Sequence, residues 1–235
     1  MKFRALKLFA SVARKGCHTL RRRFRRPLPG QFQAYSHTLP DRYPWLFEFA
    51  RKNIADFDGA RILSFGCSHG EEAFSLRKYF PAALIKGIDI EPGNISRCEA
   101  RARSADAAGM TFAVAANTEA EPAEFYDAIF CLAVLCLGDL TVSGARRSDP
   151  YLYFNDFERM VTDFSRCLKQ GGVLFLLTTN FRFGDTAVSR NFDVVFEASL
   201  DHLAPDVLFD RNNALLPGAR YRPVAFRKRI SATRQ

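Results

Sequence analysis

The stretch RILSFGCSHGEEAF, residues 61–74, joins a short apolar run to a turn bearing two glycines, then to two adjacent acids. Residues 62–65 read as a buried strand and residues 71–80 as a helix stopped near Pro81. A strand, a glycine turn and a helix in that order form the usual ligand crevice of parallel-sheet proteins. The charges decide which ligand. A Walker A loop needs GxxxxGK[ST], but Gly70 is followed by Glu71 and Glu72. The dinucleotide fingerprint GxGxxG fails too, because glycine stands only at 66 and 70. A carboxylate at this helix start repels phosphate. It suits a ligand with an ammonium group, through a charge-assisted hydrogen bond. Gly66 and Gly70 let the backbone come close to a ligand, and free N–H groups at the helix start can receive a carboxylate. The plain alternative is a tight turn in which Glu71 only complements the helix dipole.

Outward from this stretch the chain alternates. A helix is expected over 43–54, with Pro44 near its start, then strands over 84–90, 111–115, 126–134 and 173–178. Helices are expected over 95–108 and 151–169, the latter ended by Gly171 and Gly172. Repeated strand–helix units of this length predict an α/β fold, a mostly parallel sheet with helices on both faces. The end of the chain is less regular: a strand over 192–197, a short helix over 204–209 and a last strand over 221–228 are expected. Asp89 closes the second strand. A carboxylate there can accept hydrogen bonds from both hydroxyls of a ribose, although N-capping the next helix is its simpler use. The ligand so implied has a ribose and an amino acid but no phosphate.

The bulk properties narrow the class. The chain has 235 residues, 48% of them hydrophobic, with 23 phenylalanines, enough for one large core. No apolar run is long enough to span a membrane. The six cysteines include no CxxC pair and there are four histidines, so neither a zinc site nor a disulfide scaffold is expected. A reducing, cytoplasmic setting follows. The net charge of +9 belongs to the ends: residues 1–27 carry ten Lys/Arg and residues 211–235 seven, both without acids, while residues 28–210 hold 17 basic and 25 acidic residues. Phe3, Leu6, Ala10, Ala13, Cys17, Leu20 and Phe24 form a narrow apolar stripe on a basic helix. Such an extension can lie on an anionic membrane surface, contact nucleic acid, serve as a targeting segment, or remain a solvated tail. The expected organisation is a basic extension over 1–27, a linker over 28–42, the main domain over 43–230 and a tail over 231–235.

Four segments together resemble class I S-adenosylmethionine-dependent methyltransferases. LSFGCSHGEEAFSL resembles the family's first motif, in the form found in chemotaxis-receptor glutamate methyltransferases. GIDIEPGNISRCEAR resembles the second, FYDAIFCLAVL the fourth, and LKQGGVLFL the approach to the fifth strand. The resemblance covers roughly residues 43–179 and implies a Rossmann-like, seven-stranded, mostly parallel sheet. It implies S-adenosylmethionine as cofactor and a small-molecule acceptor. It also implies that Gly66, Cys67, Ser68 and Gly70 line the methionine part, with Glu71 at the ammonium end. Asp89 would hold the ribose, with Ile90, Asn117 and Thr118 around the adenine, and Cys131 and Leu132 would floor the pocket. Asn117 stands where many members have Asp, and Ser68 and His69 replace commoner residues of the motif. His69 and His202 have solvent-facing or structural roles as their simpler readings. Tyr43 and Trp45 can cover the pocket or simply pack their helix.

Methyl transfer from a sulfonium needs alignment and a dry pocket more than a catalytic dyad. CLAVLCLGDL after the fourth strand lacks the Asp/Asn-Pro-Pro-Tyr/Phe pattern of amide and exocyclic-amine methylases. There is neither a Pro-Cys nucleophile nor an acidic metal cluster. The expected acceptor is a sugar, a lipid precursor or a secondary metabolite. Two competitors stay open: a protein or RNA methyltransferase docked through the basic termini, and a non-catalytic binding module retaining the fold. Leu135, Asn180, Phe181, Arg182 and residues 183–191 are the candidates for lining the acceptor pocket.

Overall fold

The structure is a computed structural model that describes residues 31–33, 36, 38–105, 107–204 and 206–231. The basic extension over 1–27 and residues 232–235 lie outside the described residues. Helix α1 (Pro44–Asn53) precedes β1 (Arg61–Phe65), α2 (Glu71–Tyr79), β2 (Leu84–Asp89), α3 (Pro92–Ser104), β3 (Met110–Val114) and β4 (Tyr126–Leu132). Then come α4 (Gly138–Val142), α5 (Phe154–Cys167), β5 (Leu168–Leu177), β6 (Phe192–Glu197) and β7 (Pro223–Lys228). The seven strands form one sheet in the order β3-β2-β1-β4-β5-β7-β6. β7 runs antiparallel to both of its neighbours; the other pairings are parallel. The sequence expectation of a Rossmann-like, mostly parallel sheet of seven strands holds.

Side-chain alternation builds the two faces. Along β4, Ala128, Phe130 and Leu132 join the core that holds Leu46, Phe47 and Ala50 of α1 and Ala73 and Leu76 of α2. Ile129 and Cys131 point the other way, into the core that holds Phe157, Val161 and Phe164 of α5. Phe130 stacks on Phe175 of β5 with ring centroids 4.3 Å apart. Since β1 leads one way along the sheet and β4 the other, the topological switch lies between them, where ligand crevices open in such sheets.

Two local expectations are corrected. Gly171 and Gly172 do not end a helix at a loop; they lie inside β5, at the register shift that pairs Tyr126 with Leu168 and Ala128 with Val173. Among the described residues of 204–209 no helix forms: Leu200–His202 makes a 3-10 turn and Phe209 makes isolated bridges to Phe181 and Leu215. The segment before α1, expected as a linker, packs on the domain through its described residues. Phe32 is buried in the core, and Gln33 Nε2 donates to the Ala133 carbonyl and, at 3.0 Å, to Cys136 Sγ. Asp41 bonds Ser75 and Lys78 of α2 at 2.8 Å each. Among the described residues, no helix is long and apolar enough to cross a membrane.

Candidate active site

At the switch point the C-terminal ends of β1, β2 and β4 open into a cavity of about 110 Å³, roofed by Phe32, Gln33, Ser36, Leu39, Arg42 and Tyr43. The loop after β1 is its floor. Gly66 has φ +70°, and a Cβ there would stand 2.5 Å from Val134 Cγ2, so only glycine fits without displacing the loop after β4. The N–H groups of Gly66 and Cys67 both donate to the Ile88 carbonyl, at 2.8 and 3.0 Å. The next N–H, of Ser68, donates to Asp89 Oδ2 at 2.8 Å. Asp89 Oδ1 accepts from the Glu91 N–H at 2.9 Å and from Asn94 Nδ2 at 3.0 Å. A carboxylate has room for about four such bonds, so three are used inside the protein and one remains. Glu91 lines the same wall, two residues on.

Of the residues singled out from sequence, Gly66, Cys67, Ser68, Asp89, Ile90 and Leu132 line this cavity. The others sit elsewhere, each for a local reason. Gly70 is the left-handed residue that starts α2, φ +88°, and packs against Cys98 and Phe74. Glu71 leaves the site and pairs with Arg101 at 3.1 Å. The chain turns away after Ala116: Asn117 accepts the Glu119 N–H at 3.1 Å, and Thr118 is fully buried against Asp163 and Arg166. Ala115 and Ala116 take their place on the cavity wall. Cys131 lies on the far face of β4 by strand alternation. His69 bonds Arg97 at 2.8 Å outside the cavity, and His202 stacks on Trp45 with centroids 4.5 Å apart.

The acceptor candidates also divide. Leu135 and Phe181 are core residues. Asn180 braces the loops, accepting the Leu137 N–H at 2.6 Å and donating to the Val207 carbonyl at 2.9 Å. Arg182 pairs with Asp185 at 2.8 Å. From residues 183–191, Phe183 lines a second, smaller cavity at the ends of β5 and β7.

Sequence reasoning missed the inward-facing acid. Glu72, not Glu71, lines the cavity. Its Oε1 accepts the Ser64 hydroxyl at 2.7 Å. Burial pushes its pKa up to about 8, against the opposing pull of Ser64 and of the Arg42 charge. Helix phase was the available signal, because Glu72, Leu76 and Phe80 fall at i, i+4 and i+8, and the last two are fully buried. Arg42 lines the same cavity, its guanidinium 5.1 Å from the Tyr43 ring centroid. Tyr43 also lines it, and burial raises its phenol to about 12. Ser68 Oγ is buried with no hydrogen-bond partner among the described residues. The donors and charges therefore fit S-adenosylmethionine: a carboxylate for its ammonium, a guanidinium for its carboxylate, carboxylates at the end of β2 for a ribose, and an orphan hydroxyl awaiting a polar atom. No group of three or more His, Cys, Asp or Glu among the described residues is arranged to hold a metal.

This sheet order, with a ligand crevice at its switch point, is the architecture of class I methyltransferases. The chain belongs to the family described as the methyltransferase domain, whose match covers residues 56–207. No curated protein matches it. Several solved structures resemble it weakly. One, from Galdieria sulphuraria, is described as a sarcosine dimethylglycine methyltransferase (20% identity, TM-score 0.45, 57% of this chain and 44% of that one). Another is a SAM-dependent methyltransferase from Aquifex aeolicus (16%, TM-score 0.43, 59% and 63%). A third is phosphoethanolamine N-methyltransferase 2 from Haemonchus contortus (17%, TM-score 0.43, 57% and 27%). The chain thus spans less than two thirds of the length of each.

Proposed function

We propose that the chain transfers the methyl group of S-adenosylmethionine to a small-molecule acceptor. The observation that carries this reading is the pairing of Glu72 and Arg42 in one roofed cavity beside the Gly66 loop and the acids ending β2. A carboxyl and a guanidinium held there without a direct bond to each other match the two ends of a free amino acid moiety. Glu72 receives the ammonium and Arg42 the carboxylate. Asp89, with one free lone pair, shares the ribose with Glu91, and Ile90, Ala115 and Ala116 supply the apolar wall for the adenine. The bound cofactor supplies an electrophilic methyl group on a sulfonium. The residues of the chain contribute orientation and exclusion of water: Leu132, Phe65 and the roof residues close the site. The likeness of the first motif to the chemotaxis-receptor form concerns the methionine end of the ligand and carries no glutamyl substrate with it. A roofed site suits an acceptor that enters whole, which favours a small molecule over a polymer.

Calorimetric titration of the full chain with S-adenosylmethionine tests the reading. Binding in the micromolar range is expected; no binding at high micromolar concentration ends it. Replacing Asp89 by Ala frees the Ser68 N–H as well as the ribose, so affinity falls by about 1–3 kcal/mol. An unchanged affinity rejects the role given to Asp89.

A further inference from the structure

Beside the first cavity lies the second one, and the carboxylate among its described lining residues, Asp206, is incompletely paired. Leu177, Phe183, Leu203, Leu208 and Val224 give it apolar walls, Thr178, Arg220 and Tyr221 stand at its polar side, and Asp206 reaches into it. Asp206 Oδ1 accepts the Thr141 hydroxyl at a long 3.3 Å. Its Oδ2 is sealed from solvent and has no hydrogen-bond partner among the described residues. Compare Asp127, whose oxygens accept the Arg61 N–H and the Lys169 ammonium, each at 2.8 Å. Buried carboxylate oxygens are paired as a rule, so an orphan one marks a missing donor.

The two cavities adjoin. Leu132, on the wall of the first, is the register partner of Leu177, on the wall of the second, one strand spacing away. The Tyr43 side chain from the roof of the first lies close enough to the side chain of Thr178 in the second to feel it electrostatically. Thr178 holds φ +57°, a left-handed conformation that a β-branched residue rarely takes. Arg42 faces Asp206 as a charge, with no hydrogen bond between them.

We infer that the second cavity is the acceptor site and that it takes a small amine whose N–H donates to Asp206 Oδ2. The inference rests on the methyl-transfer reading above and names its substrate class. The chemistry of the walls selects nitrogen over oxygen. An alcohol fills the missing hydrogen bond but adds no charge; a protonated amine supplies both a donor and a positive charge, which neither Arg42 nor Arg220 delivers through a bond to Asp206 among the described residues. The same carboxylate also solves the proton problem. A protonated amine has no lone pair to give, and passing one proton from nitrogen to Oδ2 frees the pair and neutralises the acid in a single move. Burial raises the pKa of Asp206 and so favours its taking that proton.

The test is a binding measurement on the full chain loaded with S-adenosylhomocysteine, using benzylamine and ethanolamine against benzyl alcohol and ethylene glycol, read by saturation-transfer NMR. Each amine is expected to bind at least about tenfold more tightly than its alcohol counterpart, and Asp206→Asn to erase that preference. Leu203→Trp, which fills the cavity from its rim without altering charge, is expected to weaken amine and alcohol alike. Equal binding of amines and alcohols to the native chain overturns the inference, as does an amine preference that survives Asp206→Asn. If S-adenosylhomocysteine itself fails to bind, the methyl-transfer reading has failed first. If it binds and the amine preference is absent, only the inference is lost.

Discussion

Two carboxylates, Glu121, buried, and Glu72, half-buried at the crevice, are differently served. Glu121, in the crossing from β3 to β4, is 7% exposed and takes the Lys86 ammonium at 2.7 Å and the Tyr126 hydroxyl. Arg166 ties the same turn down through the Glu121 and Thr118 carbonyls, at 2.8 and 2.7 Å. Glu72, at the ligand crevice, has one hydroxyl donor and a guanidinium nearby that does not bond it. A fully paired buried acid braces the fold, whereas a half-buried acid short of partners is held ready for something that arrives. The contrast separates structural charge from functional charge without appeal to the identity of the residues, since both are glutamates.

The largest expected effect falls on the brace. Replacing Glu121 by Ala strands the Lys86 ammonium and the Tyr126 hydroxyl together, and stability to urea is expected to fall by about 3–4 kcal/mol. Lys86 is about a third exposed, which keeps the loss below the extreme for a fully buried pair. A loss under about 1 kcal/mol means the network is ornamental and the contrast with Glu72 collapses.

Glu72→Gln is expected to do the reverse: stability holds or rises, and affinity for S-adenosylmethionine falls by about 1.5–3 kcal/mol through loss of a charge-assisted bond. The sign of the pH effect follows from the raised pKa. The folded protein keeps the Glu72 proton up to about pH 8, while the unfolded chain loses it near its ordinary value of 4.5. Across that window the folded state binds the extra proton, so the contribution of Glu72 to stability is whole below the window and is lost as pH rises through it. Urea midpoints of the native chain are therefore expected to decline from pH 5 to 8 relative to those of Glu72→Gln. Parallel curves would show that Glu72 is ordinarily solvated.

Ligand binding sharpens this further. An ammonium seated on Glu72 favours the ionised form, so binding at pH 7 is expected to expel close to one proton per site. Titrations in buffers of different ionisation enthalpy read that number directly. Near pH 9.5 the proton is already gone and the release vanishes, as it does at every pH in Glu72→Gln.

What could be read in the sequence divides along the same line. Strand alternation and the glycine turn are local patterns, and they gave the sheet, its helices and the Gly66–Ser68 floor. Asp89 was legible because it closes a strand. The roof was not: Gln33 meets Ala133 and Cys136 about a hundred residues away, and no periodicity in residues 31–42 announces such contacts. Asp206 sits in irregular chain after β6, where the sequence suggested a helix that the described residues do not form. Asn117 and Thr118 lie off the cavity because the turn after β3 is set by Asp163 and Arg166, partners supplied by a helix some 45 residues downstream.

The smallest expected effect concerns the acid next door. Glu71 and Glu72 are adjacent, and only the helix phase separates them: one full residue turns the side chain by about 100°, from the stripe shared with Leu76 to the flank shared with Arg101. Arg101 is 41% exposed and Glu71 20%, so their pair is screened by water. Arg101 also rests on the Phe74 ring, 4.0 Å from its centroid, and keeps that contact without Glu71. Glu71→Ala is therefore expected to change both stability and S-adenosylmethionine affinity by less than about 0.5 kcal/mol. The result that would undo the assignment is the opposite ranking. If Glu71→Ala weakened the cofactor more than Glu72→Gln, the ammonium would have to lie on the outer flank of α2, and Glu72 would then be a half-buried acid with no ligand to answer it.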